Sequence, residues 1–265
     1  MRYERGAVDA PCFARLGENF RAEIVAASAA LPGLAPVLPE AIEQAPDGLF
    51  FALRHDLSEH YVALNGTPTP APRSAKEMEV LTWLAAGSED LRAATAEAFR
   101  ASLAEVNRRL TDGAGGWRGG AIRLGGDRAG NRVYFPPVCA MDAQLDKLRV
   151  VLADEADHPP LFRGVVAYAL LLNAHPFSDG NGRTARLILN YVLREGGMHS
   201  NVYLPLYEIA HRSLGGHDIA LRTAELRGDW EPIFGYFLSA LQCCWTLSGS
   251  SGWATNFKNR ANANG

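Results

Sequence analysis

Apolar residues recur at helical spacing along most of the chain, and prolines and glycines cut the pattern into a series of segments. Residues 17–31 are compatible with a helix, after which Pro32, Pro36, Pro39 and Pro46 mark a loop-rich connection. A second helical stretch is predicted from about Phe50 to Leu64. It stops at Asn65-Gly66, where glycine accepts the left-handed turn that ends helices. Pro68, Pro70 and Pro72 then require a turn or an extended linker. Ser74 and Glu77 have capping-box spacing for a helix reaching about Ala86, and another helix is predicted from Ser88 or Glu89 to about Leu110.

The period changes between residues 113 and 137. Two short runs, Ala121 to Leu124 and Arg132 to Phe135, flank a glycine-rich turn in the manner of a β-hairpin. Pro136-Pro137 ends it, and Met141 to Leu152 resumes helical spacing. Phe162 to Ala174 is apolar nearly all round, as a helix buried in a core would be. Pro176 prevents its simple continuation, so His175 falls where helix gives way to loop. Beyond the loop, Arg183, Arg186, Asn190 and Arg194 share one helical stripe, while Ala185, Ile188, Leu189 and Val192 occupy another. A solvated face accounts for Arg194. The pattern as a whole predicts a mostly α fold.

With 265 residues, 48% of them hydrophobic, the chain can bury a sizeable core without a partner. A formal charge of −3 provides no electrostatic footprint for nucleic acid. Gly164 to Ala174, the most apolar stretch, is too short to span a bilayer, and Met1 to Phe20 lacks the apolar core of a signal peptide, so neither a membrane nor a cleaved leader is expected. The expectation is a soluble chain, cytoplasmic at synthesis, compatible with later delivery into another cell. Cys12, Cys139, Cys243 and Cys244 lack metal-ligand spacing and are expected as reduced thiols.

Candidate chemistry is concentrated in residues 175–186, which bring a base, a carboxylate, two glycines and two arginines into twelve positions before a helix. Gly180 and Gly182 flank Asn181, so backbone N–H groups can approach an anion, and the helix behind them adds its positive end. Arg183 and Arg186 in the first helical turn would be unfavourable there without an anionic guest. These features indicate a phosphate-handling site.

The run resembles the signature of the Fic (Fic/Doc) family, matched by His175, Phe177, Asp179, Gly180, Asn181, Gly182, Arg183 and Arg186. The resemblance, which extends over about residues 60–245, implies a Fic-fold helical domain at 88–247 with a short β-hairpin flap and an N-terminal helical extension at 1–87, while the Ser-, Gly- and Asn-rich composition of 248–265 suits a flexible tail. It implies transfer of AMP from ATP to a Tyr, Thr or Ser hydroxyl of a target protein, or of the protein itself. Transfer of UMP or phosphocholine, or nucleotide binding without catalysis, are the alternatives. His175 would be the general base. Asp179 would hold Mg²⁺ or Mn²⁺, with helix capping as its competing role. Asn181 and the loop N–H groups would contact phosphate oxygens, Arg183 would stabilise the leaving pyrophosphate, and Arg186 would hold the γ-phosphate. Phe177 would anchor the loop in the core.

In the same family the flap pairs with an extended target segment, a role that falls here to Ile122, Arg123 and Leu124. Many relatives also carry an inhibitory glutamate that pairs with the second signature arginine. The corresponding segment is Tyr61 to Gly66, where Asn65 stands in the glutamate's place, and a weak restraint on Arg186 follows. Many relatives carry an aromatic pair at the position of His217-Asp218, which leaves the nucleobase open.

Overall fold

A computed structural model describes residues 2–66, 74–88, 91–92, 95–124, 127–154 and 157–250. The linker at 67–73, Gly125-Gly126 of the hairpin turn and the tail from 251 lie outside the described residues. The fold is mostly helical: α1 (Glu18–Ala30), α2 (Pro39–Gln44), α3 (Ser58–Asn65), α4 (Ser74–Trp83), α5 (Ala96–Leu110), α6 (Val138–Ala153), α7 (Pro160–Ala174), α8 (Asn181–Glu195), α9 (Leu206–Arg212), α10 (Gly216–Arg227) and α11 (Glu231–Ser248). Two short strands, β1 (Arg2–Glu4) and β2 (Arg132–Tyr134), run parallel, with Tyr3 opposite Val133.

The centre of the molecule is the pair α7 and α8. As the all-round apolar pattern predicts, Leu161, Val165, Leu170 and Leu171 of α7 have no exposed surface. Burying each such side chain contributes about 1.5–3 kcal/mol. Gly164 lets the two helices close up, since a Cβ there would stand 3.0 Å from the Leu189 side chain. Packing continues without a break into the N-terminal helices: Ile24, Leu31 and Phe50 belong to the same buried cluster as Leu170 and Phe237. The segment expected as an extension thus shares the core of the domain.

Several boundaries differ from the sequence expectation. The stretch from Phe50 to Leu64 is divided into a 3₁₀ turn over Asp47–Leu53 and α3. Ser58 causes the break: its N–H bonds the His55 carbonyl at 2.8 Å and its hydroxyl accepts the His55 N–H at 3.0 Å. The helix expected from Ser88 or Glu89 begins at Ala96, where Thr95 accepts the Ala98 N–H at 3.2 Å as an N-cap. Pro39 opens α2 inside the supposed loop, a position where its missing N–H costs nothing. Strand β1 carried no pattern long enough to announce it.

Candidate active site

His175 is the C-cap of α7 and takes a left-handed backbone conformation (φ 45°, ψ 56°). A residue with a Cβ pays about 1–2 kcal/mol for that. The turn sets the imidazole flat against Phe135, with centroids 3.7 Å apart and planes at 17°. Burial, reinforced by the charges of Arg5 and Arg118, lowers the His175 pKa to about 4, with only the Leu172 carbonyl acting in the opposite sense. Nδ1 lies 3.4 Å from that carbonyl oxygen, which favours the proton on Nδ1 and leaves the Nε2 lone pair free.

The loop after His175 is braced from three sides. Phe177 is fully buried and stacks on Trp117 at 4.8 Å. Ser178 donates its N–H to the Gly116 carbonyl at 2.8 Å, and Arg118 donates its N–H to the Pro176 carbonyl at 3.0 Å. From α5, Asn107 Nδ2 donates to the Asp179 carbonyl at 3.0 Å and to the Thr184 hydroxyl at 3.1 Å. Gly180 (φ 81°) sits directly on this contact, since a Cβ there would come within 2.7 Å of Asn107 and 2.5 Å of Thr111. Its freedom serves packing as well as anion access.

Asn181 departs from the expected phosphate contact. Its side chain is turned inward, Oδ1 accepting the Phe177 N–H at 2.9 Å and Nδ2 donating to the Phe177 carbonyl at 2.8 Å. A buried peptide group needs both partners, and Asn181 supplies both. Asn181 still borders the anion pocket, a hollow of about 240 Å³ bounded also by His175, Asp179, Gly182, Arg183 and Arg186.

Asp179 stands at the rim, largely exposed, with Oδ1 accepting the Gly180 N–H at 2.6 Å and Oδ2 3.0 Å from Arg183. Arg183 also donates to the Leu110 carbonyl at 2.7 Å. Among the described residues no cluster of three or more His, Cys, Asp or Glu could hold a metal. A lone carboxylate beside an anion pocket nonetheless suits Mg²⁺, which keeps several waters and takes its remaining ligands from substrate phosphates.

The polar stripe of α8 is not a solvated face. Asn190 is fully buried, accepting the Leu204 N–H at 2.6 Å and donating to its carbonyl at 3.2 Å, and Arg194 reaches the Val202 carbonyl. Arg186 is nearly buried and is held by Glu77 of α4, Nε lying 3.1 and 3.2 Å from the two carboxylate oxygens. Glu77 gives its carboxylate to Arg186 and to the Tyr203 hydroxyl. Arg186 is firmly paired although Asn65 is neutral, and the Asn65 amide donates to Tyr61 of its own helix at 2.9 Å.

A larger cleft of about 640 Å³ opens on the other side of His175 and is bounded by Asn65, Leu124, Val133, Phe135 and Asp218. Tyr61 donates its hydroxyl to Asp218, and His217 Nδ1 lies 3.3 Å from the same carboxylate. Burial opposes the charge on Asp218, but these hydrogen bonds outweigh it and pull its pKa down to about 2. The cleft therefore carries a charged carboxylate in a lining otherwise rich in apolar side chains such as Leu64, Leu172 and Leu221. His175 lines both the cleft and the anion pocket.

Across the cleft mouth, Leu124 donates its N–H to Val133 at 2.9 Å and Phe135 donates to Ile122 at 3.1 Å. Arg123 and Tyr134 form the bridge between these bonds, so Arg123 turns its own N–H and C=O away from β2. The other edge of β2 is covered by β1. Residues that no local pattern marked prove central here: Asn107, Phe135, Tyr203 and the paired Arg5, which lies 4.7 Å from the Phe135 ring and 3.0 Å from Glu225.

Residues 100–193 match the Fic/DOC family model. Over 136 residues the chain is 33% identical to protein adenylyltransferase fic-1 of Caenorhabditis elegans and 32% identical to that of Caenorhabditis briggsae, covering 51% of this chain and 25% of each relative. The chain thus matches about a quarter of the length of these curated relatives. A crystal structure of a Fic family protein from Desulfovibrio desulfuricans G20 superposes with a TM-score of 0.54 at 19% identity, over 92% of this chain and 70% of that one. A fragment of C. elegans Fic-1 superposes at 0.50 and 19%, over 87% and 72%. These two likenesses establish the fold.

Proposed function

Because the chain carries a Fic/DOC family domain, we propose that it is a protein adenylyltransferase, moving AMP from ATP to a side-chain hydroxyl and releasing pyrophosphate. One observation carries this reading: a histidine that is neutral at pH 7 borders both a cleft large enough for a nucleoside and a small pocket ringed by arginines. Adenosine in the cleft and phosphates in the pocket bring the α-phosphorus beside His175.

The target hydroxyl oxygen then attacks that phosphorus, its proton passes to His175 Nε2, and the bond to the β-phosphate oxygen breaks. Arg183, the loop N–H groups and the N-terminus of α8 take up the charge on the departing pyrophosphate. Asp179 holds Mg²⁺ or Mn²⁺, which supplies charge neutralisation to the phosphates. Arg186 holds the terminal phosphate through the nitrogen that Glu77 leaves unused. Ile122, Arg123 and Leu124 offer the open edge on which an extended target segment adds as a strand.

Incubation of the protein and a cell lysate with ATP labelled at either the α- or the γ-phosphate tests the reading. Label on protein from the α-position alone, with the mass of an adenylyl group, is the expected result. Label from the γ-position, or from a different nucleotide only, would replace it.

A further inference from the structure

The side of Arg186 away from the anion pocket is closed by two buried residues that the reaction itself does not require. Glu77 is 1% exposed and Tyr203 5%. Glu77 takes Nε and Nη2 of Arg186, and its second oxygen also accepts the Tyr203 hydroxyl. The Tyr207 ring lies 5.2 Å from the guanidinium. Only Nη1 is left, and it points to the pocket: a Cβ placed on Gly182 would stand 3.4 Å from it.

A carboxylate that restrained Arg186 by competing with phosphate would have to stand in the pocket. Arg186 lines that pocket and Glu77 does not. The glutamate comes instead from α4, behind the guanidinium, and its burial makes the contact permanent, because release would strand a charge on either side. A fork held at two nitrogens by a carboxylate has one orientation, whereas a long free arginine has many.

We propose that Glu77 and Tyr203 are positioning residues, which aim Arg186 Nη1 at the terminal phosphate and so make the site prefer a nucleoside triphosphate to a diphosphate. This rests on the donor reading above and is tested by binding alone. ATP and ADP are titrated calorimetrically, with Mg²⁺, into the full chain as wild type, Glu77→Gln and Tyr203→Phe. Wild type is expected to bind ATP about tenfold or more tightly than ADP, the effect of one well-placed charge-assisted hydrogen bond. Glu77→Gln should bring the ratio close to one while ADP affinity stays within about twofold. Tyr203→Phe, which removes a single hydroxyl and keeps the ion pair, should fall between, and it carries the test if circular dichroism shows Glu77→Gln unfolded. A purely structural role would weaken both nucleotides alike and overturns the proposal. Tighter ATP binding by Glu77→Gln overturns it too, and makes Glu77 a restraint. An unchanged ratio in a wild type that discriminates sinks the positioning role alone. A wild type that binds neither nucleotide sinks the donor reading with it.

Discussion

His175 lies flat on the ring of Phe135, 3.7 Å between centroids, at the point where the two hollows of the site meet. The contact removes water from one face of the imidazole, and Arg5 and Arg118 add positive charge nearby. Both effects penalise the imidazolium, so the base is already in its working form at neutral pH.

A pH profile follows from that. With the His175 pKa near 4, transfer by wild type should be level from about pH 5.5 to 8 and fall only on approach to pH 4. Phe135→Ala admits water and should move the acid limb upward, toward the ordinary histidine value near 6.5. The sign for stability is the same. The unfolded chain takes up this proton near 6.5 and the folded chain near 4, so folding is weakened as pH falls through that interval. Initial rates and urea midpoints across the range check both statements.

Replacing the base should separate chemistry from binding. His175→Ala is expected to lower single-turnover transfer by at least ~10²-fold while ATP binding survives. Transfer at wild-type rates would remove His175 from the mechanism.

Asp179 is the carboxylate at the rim of the anion pocket, and its side chain is 64% exposed. Asp179→Ala should therefore alter stability by no more than about 0.5 kcal/mol yet raise the Mg²⁺ concentration needed for half-maximal transfer. EDTA should stop the wild-type reaction. Activity indifferent to chelation would exclude a metal role.

Asn65 borders the cleft beside Asp127 and Asp218. Wild type should transfer AMP without an activating partner. Asn65→Glu should lower the rate, because a further carboxylate beside Asp127 and Asp218 makes the cleft more negative toward an incoming nucleoside triphosphate. Release of AMP from a pre-modified target should be absent, since an amide has no basicity with which to activate water. A wild type that is silent until α3 is deleted would instead mean a steric block.

The outward edge at Arg123 is testable through the backbone. Arg123→Pro removes an N–H that points away from β2 and leaves the hairpin bonds intact, so it should raise KM for a protein target with ATP affinity unchanged. Arg123→Ala, the control for the side chain, should have the smaller effect.

What the sequence determined by itself is local. Residues 175–186 could be recognised as an anion site because proline, two glycines and a helix start are contiguous, and the geometry they impose is set by neighbours a few positions away. The burial of α7 was equally plain, since an all-apolar helix has no face to offer water. Tertiary structure decided the partners. Glu77 and Arg186 are 109 positions apart, and the spacing from Ser74 to Glu77 fits a cap as well as it fits a buried ion pair. Only the packing of α4 against α8 removed Glu77 from water and left Arg186 as its one charged partner. Asn181 was drawn inward for a similar reason. Its side chain has the groups a phosphate would accept, but it is taken up by the buried N–H and C=O of Phe177. Which of two equally suitable partners a polar side chain takes depends on which is sealed from solvent, and solvent exclusion arises only when distant segments close over each other.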